Sequence, residues 1–226
     1  MQNYGTKPDT YFSNPRDEIA PLLPKDPGRV LEVGCGTGST LRWLKNRGRC
    51  VRTVGLELFE GAAQEARQHA DEVVVGDAEK LIGTAFAGQT FDLILCLDVL
   101  EHMVDPWAFV AKAEKLLSPG GLLIASIPNI RHLSVLLPLA FAGRWRYGPR
   151  GLLDQTHLRF FTRESALALL TTEHLSVTRW LRNVPPLPSK SAIVNLLTFG
   201  LLRDLLTMQY LVSAQRGSPG LNGLDA

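Results

Sequence analysis

Between Arg29 and Asn129 the chain repeats one unit: a short apolar run, a turn, then a stretch with helical spacing. The runs are RVLEV from Arg29, VRTVGLE closing on Glu57, EVVVGD closing on Asp77, FDLILCLD closing near Asp98, and GLLIASIPN closing near Asn129. Strands that are apolar on both faces must be covered on both, and helices crossing between parallel strands provide that cover. The repeat therefore predicts an α/β fold with a doubly wound, mostly parallel sheet. Ligands of such sheets bind at the carboxyl ends of the strands. Those ends carry Glu32, Glu57, Asp77 and Asp98, poor residues for packing and good hydrogen-bond acceptors.

The length of 226 residues fits a single domain, and 45% apolar with 20% charged residues provides a buried core while excluding a disordered or fibrous chain. Basic residues number 24 against 22 acidic ones, a net charge of +2, too balanced for a nucleic-acid footprint. Cys35, Cys50 and Cys96 form no CxxC pair, so they read as free thiols of a reducing compartment. The polar start, MQNYGTKPDTYFSNPRDEIA, has no apolar core segment, and a cytoplasmic location is expected. The apolar stretches at 133–142 and 192–206 are broken by Pro138, Asn195, Thr198, Arg203 and Asp204, so no transmembrane helix is predicted.

Outside the repeat, Asn14, Pro15, Asp17 and Glu18 read as a helix start, with a stop at Pro24. Ser39 to Arg47 has helical spacing before Gly48. Past Asn129 the pattern is irregular to Phe161 and rich in aromatic and basic residues, an insertion placed over the site. Thr162 then caps a helix to about Glu173, followed by the strand LSVTRWL, a turn at Pro185, Pro186 and Pro188, a helix from Ser191 to Leu206, and the strand QYLVSAQR. The expected layout is one domain: a lead over 1–28, a core over 29–129, the insertion over 130–161, terminal helices and strands over 162–215, and a frayed tail over 216–226.

In VLEVGCGTGS, Gly34, Gly36 and Gly38 follow a strand at alternate positions, where side chains would keep a ligand from the backbone and the helix N-terminus. A dinucleotide loop reads GxGxxG, and here Ser39 stands at its third glycine, so a nicotinamide or flavin fits poorly. Glu57 lies 19 residues beyond Gly38, placed to accept from both hydroxyls of a ribose.

From Arg29 to Asn129 the motifs VLEVGCGTG, GLEL, GDAE, FDLILCLDVLEHMVDP and LLSPGGLLIASIPN closely resemble the class I S-adenosylmethionine-dependent methyltransferases. The resemblance implies a Rossmann-like seven-stranded sheet whose last strand is antiparallel, with an insertion after the fifth strand covering the site. It further implies S-adenosyl-L-methionine as cofactor. Glu32 and the loop Gly34, Cys35, Gly36 and Gly38 would hold its methionine part. Glu57 would hold the ribose, Leu58 would pack on adenine, Asp77 with Ala78 would meet the adenine amino group, and the backbone near Cys96 and Leu97 the ammonium.

A sulfonium methyl is already activated, so a hydroxyl acceptor needs only alignment and removal of one proton. His102, just after the fourth strand, and His157, from the insertion, are the candidate bases, since imidazole titrates near neutrality. Asp98, Glu101 and His102 are a weaker cation-binding set, at a position where some similar ubiquinone-pathway O-methyltransferases use metal. Leu97 replaces the acid that would complete it, so no metal is expected.

The insertion resembles bacterial methyltransferases associated with polysaccharide or secondary-metabolite assembly, which suggests a sugar or glycoconjugate hydroxyl as acceptor. In that reading Trp145 and Tyr147 stack on the acceptor, while Arg144, with Arg146 and Arg150, meets an anion. A quinone-type ring is the alternative acceptor. A non-catalytic alternative keeps the cofactor fold as a binding protein that docks a membrane through Leu133 to Trp145.

Overall fold

The computed structural model describes residues 15–48, 50–183 and 195–217. Its strands are β1 (Gly28–Val33), β2 (Cys50–Glu57), β3 (Glu72–Val75), β4 (Phe91–Leu97), β5 (Leu117–Pro128), β6 (Leu175–Asn183) and β7 (Gln209–Arg216). They form one sheet in the order β3-β2-β1-β4-β5-β7-β6. β1 to β5 pair in parallel, while β7 runs antiparallel to both β5 and β6. This is the sheet that the repeat and the resemblance led us to expect. Its strand order reverses between β1 and β4, the point where open α/β sheets leave a crevice.

The pleat divides the core between the two faces. Val30, Leu93, Leu95 and Leu97 point to a layer with Leu41 and Leu44 of α1 (Ser39–Asn46), Ala66 of α2 (Glu60–Ala66) and Ile19. Leu31, Val33, Ile94 and Cys96 point to the other layer. It holds Phe109, Val110 and Ala113 of α4 (Pro106–Leu116), with Ala166 and Leu169 of α6 (Arg163–Leu169). The short α3 (Ala78–Leu81) packs Ala78 and Leu81 on that same side. Apolar residues on both faces of β1 and β4 are therefore used on both faces, and truncating any of these leucines to alanine would cost about 2 to 5 kcal/mol.

Several elements differ from the sequence reading. The first helix is a 3-10 segment, Asp17–Leu22, with Pro21 inside it; the expected cap Asn14 lies outside the described residues. Proline lacks the N–H that a longer α-helix would need there. The insertion contains a helix, α5 (Leu133–Ala142), where only irregular chain was expected. Apart from Ser134 its residues are apolar and include Pro138, so no helical period is visible in the sequence.

Thr162 does cap α6, in a reciprocal pair with Ser165, but the helix ends at Leu169 rather than near Glu173. Beyond that end Thr172 takes up the chain, donating to Glu114 and accepting from the Leu175 N–H at 3.0 Å. The helix expected over Ser191 to Leu206 is helical only at 195–197 among the described residues and then turns, with Phe199 at φ 50° and Gly200 at φ 79°. Asn129 pins this turn by donating to the carbonyls of Asp204 and Thr207, both at 2.9 Å. Residues 184–194, which contain Pro185, Pro186 and Pro188, and residues 218–226 of the expected tail lie outside the described residues.

Candidate active site

The carboxyl ends of β1, β2 and β4 open into a cavity of about 1010 Å³. Gly34, Cys35 and Gly36 form its floor, and Glu32, Glu57, Leu58, Asp77, Ala78 and Leu97 stand on its wall. Gly34 has φ +67°, and a Cβ there would sit 2.6 Å from the Val99 side chain, so only glycine fits. Its N–H donates to the Leu56 carbonyl at 2.7 Å, tying the loop after β1 to β2.

Glu57 holds the loop from the other side. One carboxylate oxygen accepts from Gly36 N–H at 2.8 Å and the other from Phe59 N–H at 3.0 Å, although the side chain is buried. Burial raises its pKa while these backbone donors oppose the rise. Asp77 caps α3 by accepting from Glu79 N–H at 3.0 Å, and its other oxygen lies 3.1 Å from Lys80 Nζ. Both acids thus organise their own loops and still face the cavity, each with lone pairs to spare.

Glu32 is different. Its Oε2 is buried with no hydrogen-bond partner among the described residues. Burial pushes the carboxyl up to about 8, against a hydrogen bond from Thr40. A buried acceptor without a donor is costly, and a ligand ammonium would supply that donor. The orphaned oxygen, the glycine floor and the acidic β2 end together fit an S-adenosylmethionine-sized ligand with an ammonium, a ribose and an adenine.

Two of the expected cofactor residues are not on the cavity wall. Gly38, at φ +77°, would place a Cβ 3.0 Å from the Ala66 Cα, so its bare backbone serves the packing of α1 against α2. Cys96 is fully buried within the sheet, and burial raises its thiol pKa, as it does for Cys35.

The sequence reading missed Arg16. It lines the cavity and donates from Nη1 to Asp98 at 2.6 Å and from Nη2 to Ser126 at 3.1 Å. Burial acts to lower its pKa, but Asp98 and Glu18 more than offset that and hold the guanidinium charged. Asp98 also accepts from Ser126 Oγ and Gln209 Nε2, each at 2.7 Å, and adopts φ 55°. A non-glycine residue at that φ costs on the order of 1 kcal/mol or more, sustained here by three donors. Arg16 follows no periodic signal, and only the fold brings it across to β4.

His102 lines the cavity, whereas His157 stands behind it with ring centroids 4.7 Å apart. His102 Nδ1 lies 3.1 Å from both the Thr156 carbonyl and Thr156 Oγ1. That hydroxyl gives its proton to Asp154 at 2.7 Å, so both neighbours of Nδ1 accept. The ring therefore donates from Nδ1. His157 Nδ1 donates to the Leu152 carbonyl at 3.2 Å, with Nε2 3.9 Å from Glu101. Glu101 is fully buried, and burial followed by the charge of Asp98 holds it well above the usual carboxylate range. Glu101, His102 and His157 bring potential metal-ligand atoms within 4.8 Å of one another; Asp98, expected in that set, is instead engaged by Arg16, Ser126 and Gln209.

Arg144, Trp145 and Tyr147 do not line the cavity. Trp145 packs edge-on against Phe160 at 5.2 Å and against Tyr147 at 6.4 Å, and Arg144 is exposed.

The family model described as a methyltransferase domain matches residues 9–177. The ubiquinone biosynthesis O-methyltransferase of Mesorhizobium japonicum is 33% identical over 150 residues, covering 60% of this chain and 59% of that one. That of Azorhizobium caulinodans is 36% identical over 132 residues, covering 54% and 49%. The chain thus spans about half the length of the curated relatives it matches. Among solved structures, a SAM-dependent methyltransferase from Archaeoglobus fulgidus superposes with TM-score 0.63 at 17% identity over 89% of this chain and 91% of that one. One from Mesorhizobium loti does so with TM-score 0.63 at 22% identity over 88% and 96%. The chain belongs to the methyltransferase domain family, and its fold is that of the SAM-dependent methyltransferases on which it superposes.

Proposed function

We propose that this protein methylates a hydroxyl of a small molecule, with His102 as the base. The observation that carries the reading is the placement of His102: a histidine on the cavity wall whose ring is oriented at Nδ1 by the Thr156 carbonyl and hydroxyl. S-adenosylmethionine supplies the electrophilic methyl. Glu32 and Arg16 would hold its ammonium and carboxylate, Glu57 its ribose hydroxyls, and Leu58 and Asp77 its adenine. Leu97, at the end of β4, would border the sulfonium.

For the acceptor we favour a quinone-type ring. Val99, Met103, Val104 and Leu158 make the wall beside His102 apolar, and the curated relatives are O-methyltransferases of ubiquinone biosynthesis. The aromatic pair suited to a sugar, Trp145 and Tyr147, stands outside the cavity lining. His102 would take the hydroxyl proton as the acceptor oxygen gains the methyl, the sulfonium's sulfur–carbon bond giving way to leave a neutral thioether, and His157 supports the ring from behind.

The test is turnover of hydroxylated ring acceptors with isotopically labelled cofactor, followed by mass spectrometry. His102→Ala should lower turnover by about 100-fold or more at saturating acceptor while leaving cofactor affinity intact. A loss of only a few-fold, with chemistry rate-limiting, overturns the base assignment.

A further inference from the structure

The turn from Gly151 to His157 lies behind the cavity wall and meets it at His102. It is closed tightly on itself: Asp154 is 2% and Thr156 5% exposed. Asp154 N–H donates to the Gly151 carbonyl, and His157 N–H to the Asp154 carbonyl, each at 3.0 Å. Where the turn ends, the N–H groups of Leu158 and Arg159 both donate to the Glu101 carbonyl, at 2.8 and 3.0 Å. The turn is thereby held in register against the residue that precedes His102.

Asp154 Oδ1 makes two bonds within this turn. It accepts from Thr156 N–H at 2.9 Å and from Thr156 Oγ1 at 2.7 Å. The first bond closes the turn, as an aspartate side chain does on the backbone two residues ahead. The second is not needed for that. A hydroxyl has one proton to give, and once Asp154 holds it only lone pairs remain to face His102 Nδ1, 3.1 Å away. Released from Asp154, the same hydroxyl is able to rotate and donate to Nδ1, which would drive the ring proton to Nε2. The Thr156 carbonyl, also 3.1 Å from Nδ1, can only accept.

We propose that Asp154 is a positioning residue for methyl transfer: by taking the Thr156 hydroxyl proton, it fixes the His102 proton on Nδ1 and leaves the other ring nitrogen basic. This rests on His102 as the base. In the step, His102 takes the acceptor's hydroxyl proton and an oxygen electron pair forms the bond to the methyl carbon. Sulfur keeps the pair of the broken sulfur–carbon bond and becomes a neutral thioether. Asp154 and Thr156 neither gain nor lose a proton, so Asp154 acts only through Thr156 and the ring.

Nitrogen-15 NMR of the histidine-labelled full chain reads the ring directly, with His102→Gln identifying its signals among the five histidines. The neutral wild-type ring should carry its proton on Nδ1; a proton on Nε2 overturns the proposal without any variant. Asp154→Ala should move the ring towards the Nε2-protonated form. Asp154→Ala with Thr156→Val, which has no hydroxyl left to donate, should return the proton to Nδ1. A merely structural Asp154 would not be rescued by a second truncation in the same turn. Asp154→Asn keeps an Oδ1 acceptor and should hold the wild-type form. With catechol as probe acceptor and labelled S-adenosylmethionine, Asp154→Ala should lower kcat at least about tenfold, with KM and cofactor affinity within about twofold, and adding Thr156→Val should restore most of the loss. Three results would overturn the proposal: Asp154→Ala that keeps the Nδ1 proton, Asp154→Asn that behaves as Asp154→Ala, or a double variant no better than the single one. Each of these, with His102→Ala impaired, removes only the role of Asp154, whereas His102→Ala without effect on turnover overturns the base assignment itself.

Discussion

Glu32 couples the site to pH. Its folded pKa of about 8 exceeds the ordinary 4.5 because burial disfavours the charge. A raised acid contributes stability that is fully present below the unfolded value and lost as pH climbs through the folded one. The ligand-free protein should therefore lose stability between about pH 5 and 8, and Glu32→Gln should remove its share of that slope in urea titrations. Binding has the opposite sign. A cofactor ammonium favours ionised Glu32, so affinity should rise with pH up to about 8, by at most about tenfold per unit, and Glu32→Gln should flatten the rise. A flat wild-type profile by calorimetry would place the ammonium elsewhere. The acid itself was legible because a carboxylate at the end of an apolar strand has no packing reason to be there. Its orphaned oxygen was not, since that depends on which donors the folded chain leaves out.

Among the elements, the strands were the most readable, because each must be apolar on two faces and end where the sheet ends. β7 begins and ends where the apolar run QYLVSAQR does. α5 was unreadable for the converse reason: a helix exposed nearly all round has no polar side, and periodicity reports only helices with two faces. The glycine loop shows a subtler limit. All three glycines looked like ligand-facing positions, yet Gly38 is bare because α2 crosses it. Gly38→Ala should cost about 1 to 3 kcal/mol of stability, from the positive φ and the 3.0 Å approach to Ala66. Urea midpoints would measure this. A change confined to cofactor affinity, with the midpoint untouched, would put Gly38 in the ligand's path instead.

At the scale of the whole molecule, a cavity lined by Glu32, Glu57 and Asp77 should be selective for its cofactor. Calorimetry should give micromolar-range binding of S-adenosylmethionine or its demethylated product and no comparable binding of NADH, whose fingerprint the Gly38–Ser39 offset breaks; the reverse preference would overturn the cofactor assignment. The sequence alone determined the sheet, its parallel sense and the acids at its carboxyl edge, because hydrophobic period and strand ends are local properties of the chain. Tertiary structure decided the rest. It brought Arg16 onto Asp98 across 82 positions, set His102 against Thr156 and thereby oriented its ring, put His157 behind it, and left α5 uncovered. Each of these depends on which side chains meet across the fold, and no local pattern of residues carries that information.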